Sequence, residues 1–356
     1  MKQPALGLVA TAIIIAIALG YVALFDFNTF VGWASYALIC MIPMEIVVGV
    51  SWGANPAFAA NLPQPIKGLV LMAVCVVAAL IIGPIYWQVV GGGVTPPLPN
   101  LILCSITSVV VMFWMAIMFG GWPFNVISKN QVVSGILMWI GAYAVNYALY
   151  RVFFNFEFLK GAPVYVASLD PGGLFNATWA TVFYVTAVAV LFLLLHFDLW
   201  PLTSSPSLMK QPILGIVWTV LALAIGGAAY YIGVISMGMD PMMFLIRVPI
   251  PFIFGTILIL NMLHNSTFAS LKQPVKGIAN TAAAVIVGLA LAKFYGSVAP
   301  TVTGNLTEGP PTNDYERWLA SALLGVTFPF LIFYAEFFRM WPLMAQEKKV
   351  GKAVAV

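Results

Sequence analysis

Five times along the chain a glutamine is followed four residues later by a glycine, where a long apolar run begins. The copies are Gln3 to Gly7, Gln64 to Gly68, Gln131 to Gly135, Gln211 to Gly215 and Gln273 to Gly277. Proline follows the glutamine in four of the five, and the starts lie 61, 67, 80 and 62 residues apart. Each interval holds two helices of membrane-spanning length plus their loops. An even number of spans between copies returns the chain to the same face, so the units are parallel, not inverted. A longer match supports this. Asn55-Pro56-Ala57-Phe58-Ala59 leads into Gln64 as Asn265-Ser266-Thr267-Phe268-Ala269 leads into Gln273. Ile42-Pro43 matches Ile250-Pro251, and Gln3-Pro4 matches Gln211-Pro212, all at offsets of 208 to 210.

Composition decides what the runs are. The chain is 62% hydrophobic and 7% charged, with a mean hydropathy of +1.01, which excludes an ordinary water-soluble domain. The runs are continuous, not alternating, so helices are favoured over a transmembrane barrel. Ten spans are expected, near residues 5–25, 28–50, 66–89, 99–120, 131–153, 173–197, 211–236, 241–263, 274–297 and 317–340. The expected fold is thus all-α: a polytopic integral membrane protein of about ten helices, built from tandem parallel two-helix repeats. Its single membrane domain divides at about 1–63, 64–130, 131–210, 211–272 and 273–343, followed by a tail over 344–356.

Charge placement orients the chain. Lys2, Lys67, Lys129, Lys210, Lys272, Lys276, Arg339, Lys348, Lys349 and Lys352 lie on the motif side. Arg151, Lys160, Lys293 and Arg317 lie opposite. This bias puts both termini in the cytoplasm, in a cell membrane of the bacterial inner-membrane type. Lys2 and the Ala16-Ile17-Ala18 stretch imitate a signal peptide. The same motif opens internal helices, so residues 5–25 read as a mature span. Nothing in the basic residues suggests nucleic-acid binding. Cys40, Cys75 and Cys104 fall inside spans without metal spacing and read as packing residues.

Proline suits a first helical turn, where its missing N–H has no intrahelical partner anyway. The motif therefore reads first as a helix start, with function as the lesser alternative. Trp122-Pro123, Trp200-Pro201 and Trp341-Pro342 mark even-helix ends at the interface. Residues 346–351 resemble the stub of a sixth unit. Small residues recur every fourth position in odd helices, as in Ala284, Gly288, Ala292 and Gly296. Such stripes allow close approach, and odd helices are expected to form the inner layer with bulkier even helices flanking them.

Few polar groups lie within the spans, and each is costly there. Glu45 lies in the second span two residues after Pro43, a proline able to interrupt the helix. A carboxyl there is suited to proton or cation exchange; the structural alternative is a hydrogen bond to a neighbouring helix. Arg247 precedes Pro249 and Pro251 and would contact an anion, snorkel, or pair with Asp240. Glu336 is a further coupling candidate, or pairs with Arg339 three residues on. His196 and His264 invite a weaker haem or metal reading; as a pair near one face they also read as interface residues.

The expected function is a multi-pass transporter or permease for a small solute, coupled to protons or cations through Glu45, Arg247 and Glu336. The alternative is a membrane-embedded scaffold or quinone-facing subunit of a larger complex. An enzyme is the less favoured class, and no cofactor is expected. Partners would be the lipid bilayer, a small-molecule or ion substrate, or fellow subunits of such a complex.

Overall fold

The structure is a computed structural model and describes residues 2–344. Lys348, Lys349, Lys352 and the stretch 346–351 lie outside the described residues. Among the described residues, ten helices are long and apolar enough to cross a membrane. They are α1 (Ala5–Val22), α2 (Phe27–Ser51), α3 (Ile66–Val89), α4 (Pro99–Met118), α5 (Gln131–Phe153), α6 (Ala177–His196), α7 (Ile213–Ser236), α8 (Pro241–Met262), α9 (Val275–Val302) and α10 (Asp314–Phe337). These are the ten expected spans, shifted by a few residues at most ends. A two-residue parallel ladder, β1 (Phe154–Asn155) with β2 (Phe175–Asn176), ties down the long loop between α5 and α6, on the face opposite the glutamine motifs.

The even helices pack side by side in a closed ring, α2 against α4, α4 against α6, α6 against α8, α8 against α10, and α10 back against α2. Each odd helix covers one seam from outside. α5 lies over α2 and α4, α7 over α4 and α6, α9 over α6 and α8, α1 over α8 and α10, and α3 over α10 and α2. Burial obeys this order: even helices bury 61–78% of their most apolar stretch, odd helices 28–44%. The expectation that odd helices form the inner layer is therefore corrected.

The reason is geometric. A ring of five helices leaves a wide centre that only bulky side chains fill, so the aromatic even helices belong inside. The small stripes of the odd helices serve to dock them onto the ring. A Cβ at Gly288 of α9 would collide with the carbonyl of Pro251 in α8, and one at Gly255 of α8 with Ala284 of α9.

The Gln motif is the joint of this architecture. The Nε2 of each motif glutamine donates to the carbonyl of the last helical residue of an inner helix. Gln3 reaches Met262 (3.0 Å), Gln64 Phe337 (2.7 Å), Gln131 Ser51 (2.8 Å), Gln211 Met118 (2.8 Å) and Gln273 His196 (3.1 Å). In the four Gln-Pro copies the Oε1 accepts from the amide of the motif glycine at 3.1–3.2 Å. One side chain thus satisfies an orphan N–H of its own helix and an orphan C=O of another. Gln131 departs: it already stands in the helix, and Asn130 caps Val132 and Val133 instead.

The motif glycine makes room for the residue just past that carbonyl. Leu263, Phe338, Trp52, Phe119 and Phe197 lie against Gly7, Gly68, Gly135, Gly215 and Gly277, each within 3 Å of where a Cβ would stand. Beyond this side chain every inner helix turns out through two left-handed residues: Gly53-Ala54, Gly120-Gly121, Asp198-Leu199, His264-Asn265 and Arg339-Met340. The exposed Trp122, Trp200 and Trp341 come directly after three of these turns.

Both proline interruptions occur. In α2 the helix tightens at Cys40–Met41 before Ile42–Ile46 resumes it, and a π-helical turn spans Val47–Ser51. In α8 it breaks at Val248 between Arg247 and Pro249. The two are not at one height, however. Measured from the clipped carbonyls of Ser51 and Met262, Pro43 lies eight residues back and Pro251 eleven. On that register Glu45 corresponds to Thr256 and His264 to Gly53, in place of the Ile253 that aligning the two prolines gives for Glu45 and the Ala54 that aligning Asn55 with Asn265 gives for His264.

Candidate functional site

Where the inner helices end on the clip face, a depression of about 290 Å³ is lined by Gly53, Ala54, His264, Ala335, Glu336, Arg339 and Met344. It draws on the ends of three inner helices, α2, α8 and α10, of which α10 packs against both of the others. Glu336 Oε1 accepts from Asn261 Nδ2 at 2.9 Å, joining α10 to α8 at its floor. Asn261 and Glu336 each stand one residue before a clipped carbonyl. Sequence reading found Glu336 and missed Asn261, which no charge or motif marks.

The ring's centre is filled by phenylalanine. Phe113 of α4 packs against Phe192 of α6 (ring centroids 5.2 Å apart) and against Phe328 of α10 (6.2 Å). α4 and α10 are not neighbours in the ring, so the second contact crosses its interior. These rings stand four to nine residues before the clipped carbonyls of their helices, roughly 6–14 Å in at 1.5 Å per residue. They form an aromatic plug beneath the depression.

Glu45 is elsewhere. It is buried, 1% exposed, on the segment of α2 that packs against α3 and α4, and neither carboxyl oxygen has a hydrogen-bond partner. The buried thiol of Cys75 on α3 lies within electrostatic reach. Arg247 is exposed at the break in α8, toward the opposite face, close to Tyr315 of α10. Asp240 does not serve it as an anchor: its carboxylate caps α8 through Met242 and Met243. Glu45, Arg247 and Glu336 thus occupy three separate places: a seam, the far end and the mouth.

The histidines also separate. His196 is fully buried, and its Nε2 shares a 2.9 Å hydrogen bond with Thr256 Oγ1 of α8, while Nδ1 has no partner. His264 is exposed in the left-handed turn at the mouth. Among the described residues no three His, Cys, Asp or Glu side chains gather as a metal site. Just past His196, Asp198 accepts from Gln273 Nε2 (2.8 Å) and pairs with Lys276 Nζ (2.9 Å). Partial burial pushes its carboxyl up, but the bonds from Gln273 and Lys276 outweigh this and hold it below the usual carboxylate range.

No protein-family model matches the chain, and neither a curated protein nor a solved structure matches it.

Proposed function

We propose that the chain is a multi-pass membrane transporter or permease that conducts a small polar solute along the axis of the inner ring. The observation that carries this reading is the charged mouth at the clip face leading to the Phe113–Phe192–Phe328 plug. A hydrophobic constriction of this kind closes a path by excluding water and opens when its rings part. Glu336, Asn261, His264 and Arg339 would receive the solute, and Arg247 would contact an anionic group at the far end. The outer helices present Leu80, Ile140, Val220 and Ile286 outward, a belt suited to lipid. The five glutamine clips are read as tandem parallel hairpin repeats closed into a ring. The basic excess on the clip face favours cytoplasmic termini.

The test is stopped-flow shrinkage of proteoliposomes with urea and glycine as osmolytes. Phe113→Ala and Phe328→Ala should raise permeability at least about tenfold over the wild type by removing the dry constriction. Wild type and both variants all matching protein-free vesicles would sink the proposal. Stoichiometric partners on native purification would then favour the subunit of a larger complex.

A further inference from the structure

We propose that Glu45 is a proton-carrying carboxyl, separate from the axial path, and that the ion exchanged there is a proton, not a metal cation. Its coupling to transport rests on the reading above; the proton site itself does not.

The first argument is the ligand set. A bound hard cation is held by several oxygen ligands, carboxylates prominent among them, and neither α3 nor α4, against which the Glu45 segment packs, carries an Asp or Glu. The Cys75 thiol of α3 is within electrostatic reach and is a poor ligand for such an ion. A proton needs only the carboxyl. The second argument is register. At Thr256, the corresponding position in α8, the side chain meets His196 across the α6–α8 seam. At the register of His196, α10 carries Phe337, whose ring has neither donor nor acceptor. A carboxylate fixed for structural reasons would be hydrogen-bonded, and this one is not.

The third argument is the backbone. Glu45 rides on Ile42–Ile46, a short helical piece between the tightened turn at Cys40–Met41 and the π-helical turn at Val47–Ser51. Pro43 has no N–H for Ile39, so the helix is weakened beside the carboxyl. The segment is thereby able to turn, carrying Glu45 from the apolar seam to water where the proton leaves and the carboxylate is hydrated. Of the elements packed against α2, α3 carries the titratable side chains Lys67, Cys75 and Tyr86, α4 carries Cys104, and α10 carries Asp314, Tyr315, Glu316, Arg317, Tyr334 and Glu336, the first four of these at its far end. Lys67 Nζ bonds Asn55, Glu336 is held by Asn261, Tyr334 donates to Met340, and Tyr86 donates to Tyr143.

The experiment is labelling with N,N′-dicyclohexylcarbodiimide, which adds to a protonated carboxyl in an apolar site, read by peptide mass mapping on the folded protein. Glu45 should be modified at neutral pH, more slowly as pH rises, and to the same extent with or without sodium or potassium chloride. Glu45→Gln should remove that label and elute and melt like the wild type. In proteoliposomes it should abolish proton-driven uptake while leaving downhill solute exchange intact. Protection by sodium or potassium, or a folded wild type unlabelled at Glu45, overturns the proposal. Labelling at Glu45 in a protein that moves no solute would leave the proton site standing and remove the transport reading.

Discussion

Two seams of the ring, α6–α8 under α9 and α10–α2 under α3, share one scaffold and differ in chemistry. Both are clipped by a Gln-Pro motif, Gln273 onto His196 and Gln64 onto Phe337. Both have a motif glycine receiving the next aromatic ring, Phe197 or Phe338. Yet the first seam sets His196 against Thr256, with Asp198 and Lys276 paired at its rim. In the second, α2 carries Glu45 at the register of Thr256, within electrostatic reach of Cys75 on the covering α3, and neither carboxyl oxygen is bonded. Buried polar groups in a scaffold find partners, so the α6–α8 seam reads as architecture. The unmet carboxyl of Glu45, on the α2 segment packed against α3 and α4, is the departure that asks for a function.

The comparison breaks most completely if the satisfied seam cannot close. Gly255 lies beside Thr256, and a Cβ there would meet the Ala284 carbonyl of α9. Gly255→Leu should cost more than about 3 kcal/mol, the upper range for overpacking. The measurement is size-exclusion and thermal unfolding in detergent, and a monodisperse, wild-type-like variant would show that α9 docks less tightly than the contact implies. Next in size is Thr256→Val, which strips His196 Nε2 of its partner and should cost about 1–3 kcal/mol. Combining it with His196→Phe should recover part of that loss, since both polar groups are then gone. Strict additivity of the two would mean that the bond does not couple them.

The second seam should answer in the opposite sense. Glu45→Leu removes a buried carboxyl that has no bond to lose and should leave stability unchanged or raise it by up to about 1–3 kcal/mol, the desolvation cost of such a group. Equilibrium unfolding in mixed micelles measures this. A loss as large as that of Thr256→Val would reveal a partner for Glu45 and erase the contrast between the seams.

The outline of this contrast was legible in the residues, and its register was not. Long apolar runs identify helices because crossing length and hydropathy are local properties, and the clip recurs in sequence because each joint uses the same two residues. Inner and outer layers were misread because small-residue stripes tell of close approach without saying which partner is central. The phenylalanines of α4, α6 and α10 hold that answer, but only once the ring places them on one axis. Glu45 stood out by charge alone. Its relation to Thr256, and so the meaning of its missing partner, depends on the irregularity at Val47–Ser51, which no local pattern announces, and on the break at Val248, which Pro249 marks without fixing its register.

The smallest expected effect tests the rim of the satisfied seam. Asp198 is held below the usual carboxylate range by Gln273 and Lys276 against the opposing push of partial burial. A lowered value in the folded state means the charged form favours folding. That stabilisation is complete above the unfolded-state value of about 3.9 and is lost as pH falls through the lower folded value. Its size is limited, because the Asp198 side chain is 52% exposed and solvent screens the pair; about 0.2–1 kcal/mol is the range for such contacts. Asp198→Asn should therefore melt slightly below the wild type at pH 6, and the gap should close as both are titrated to pH 3, by about 0.2–1 kcal/mol. A gap independent of pH would assign the difference to the neutral hydrogen bond from Gln273 and not to the ion pair with Lys276.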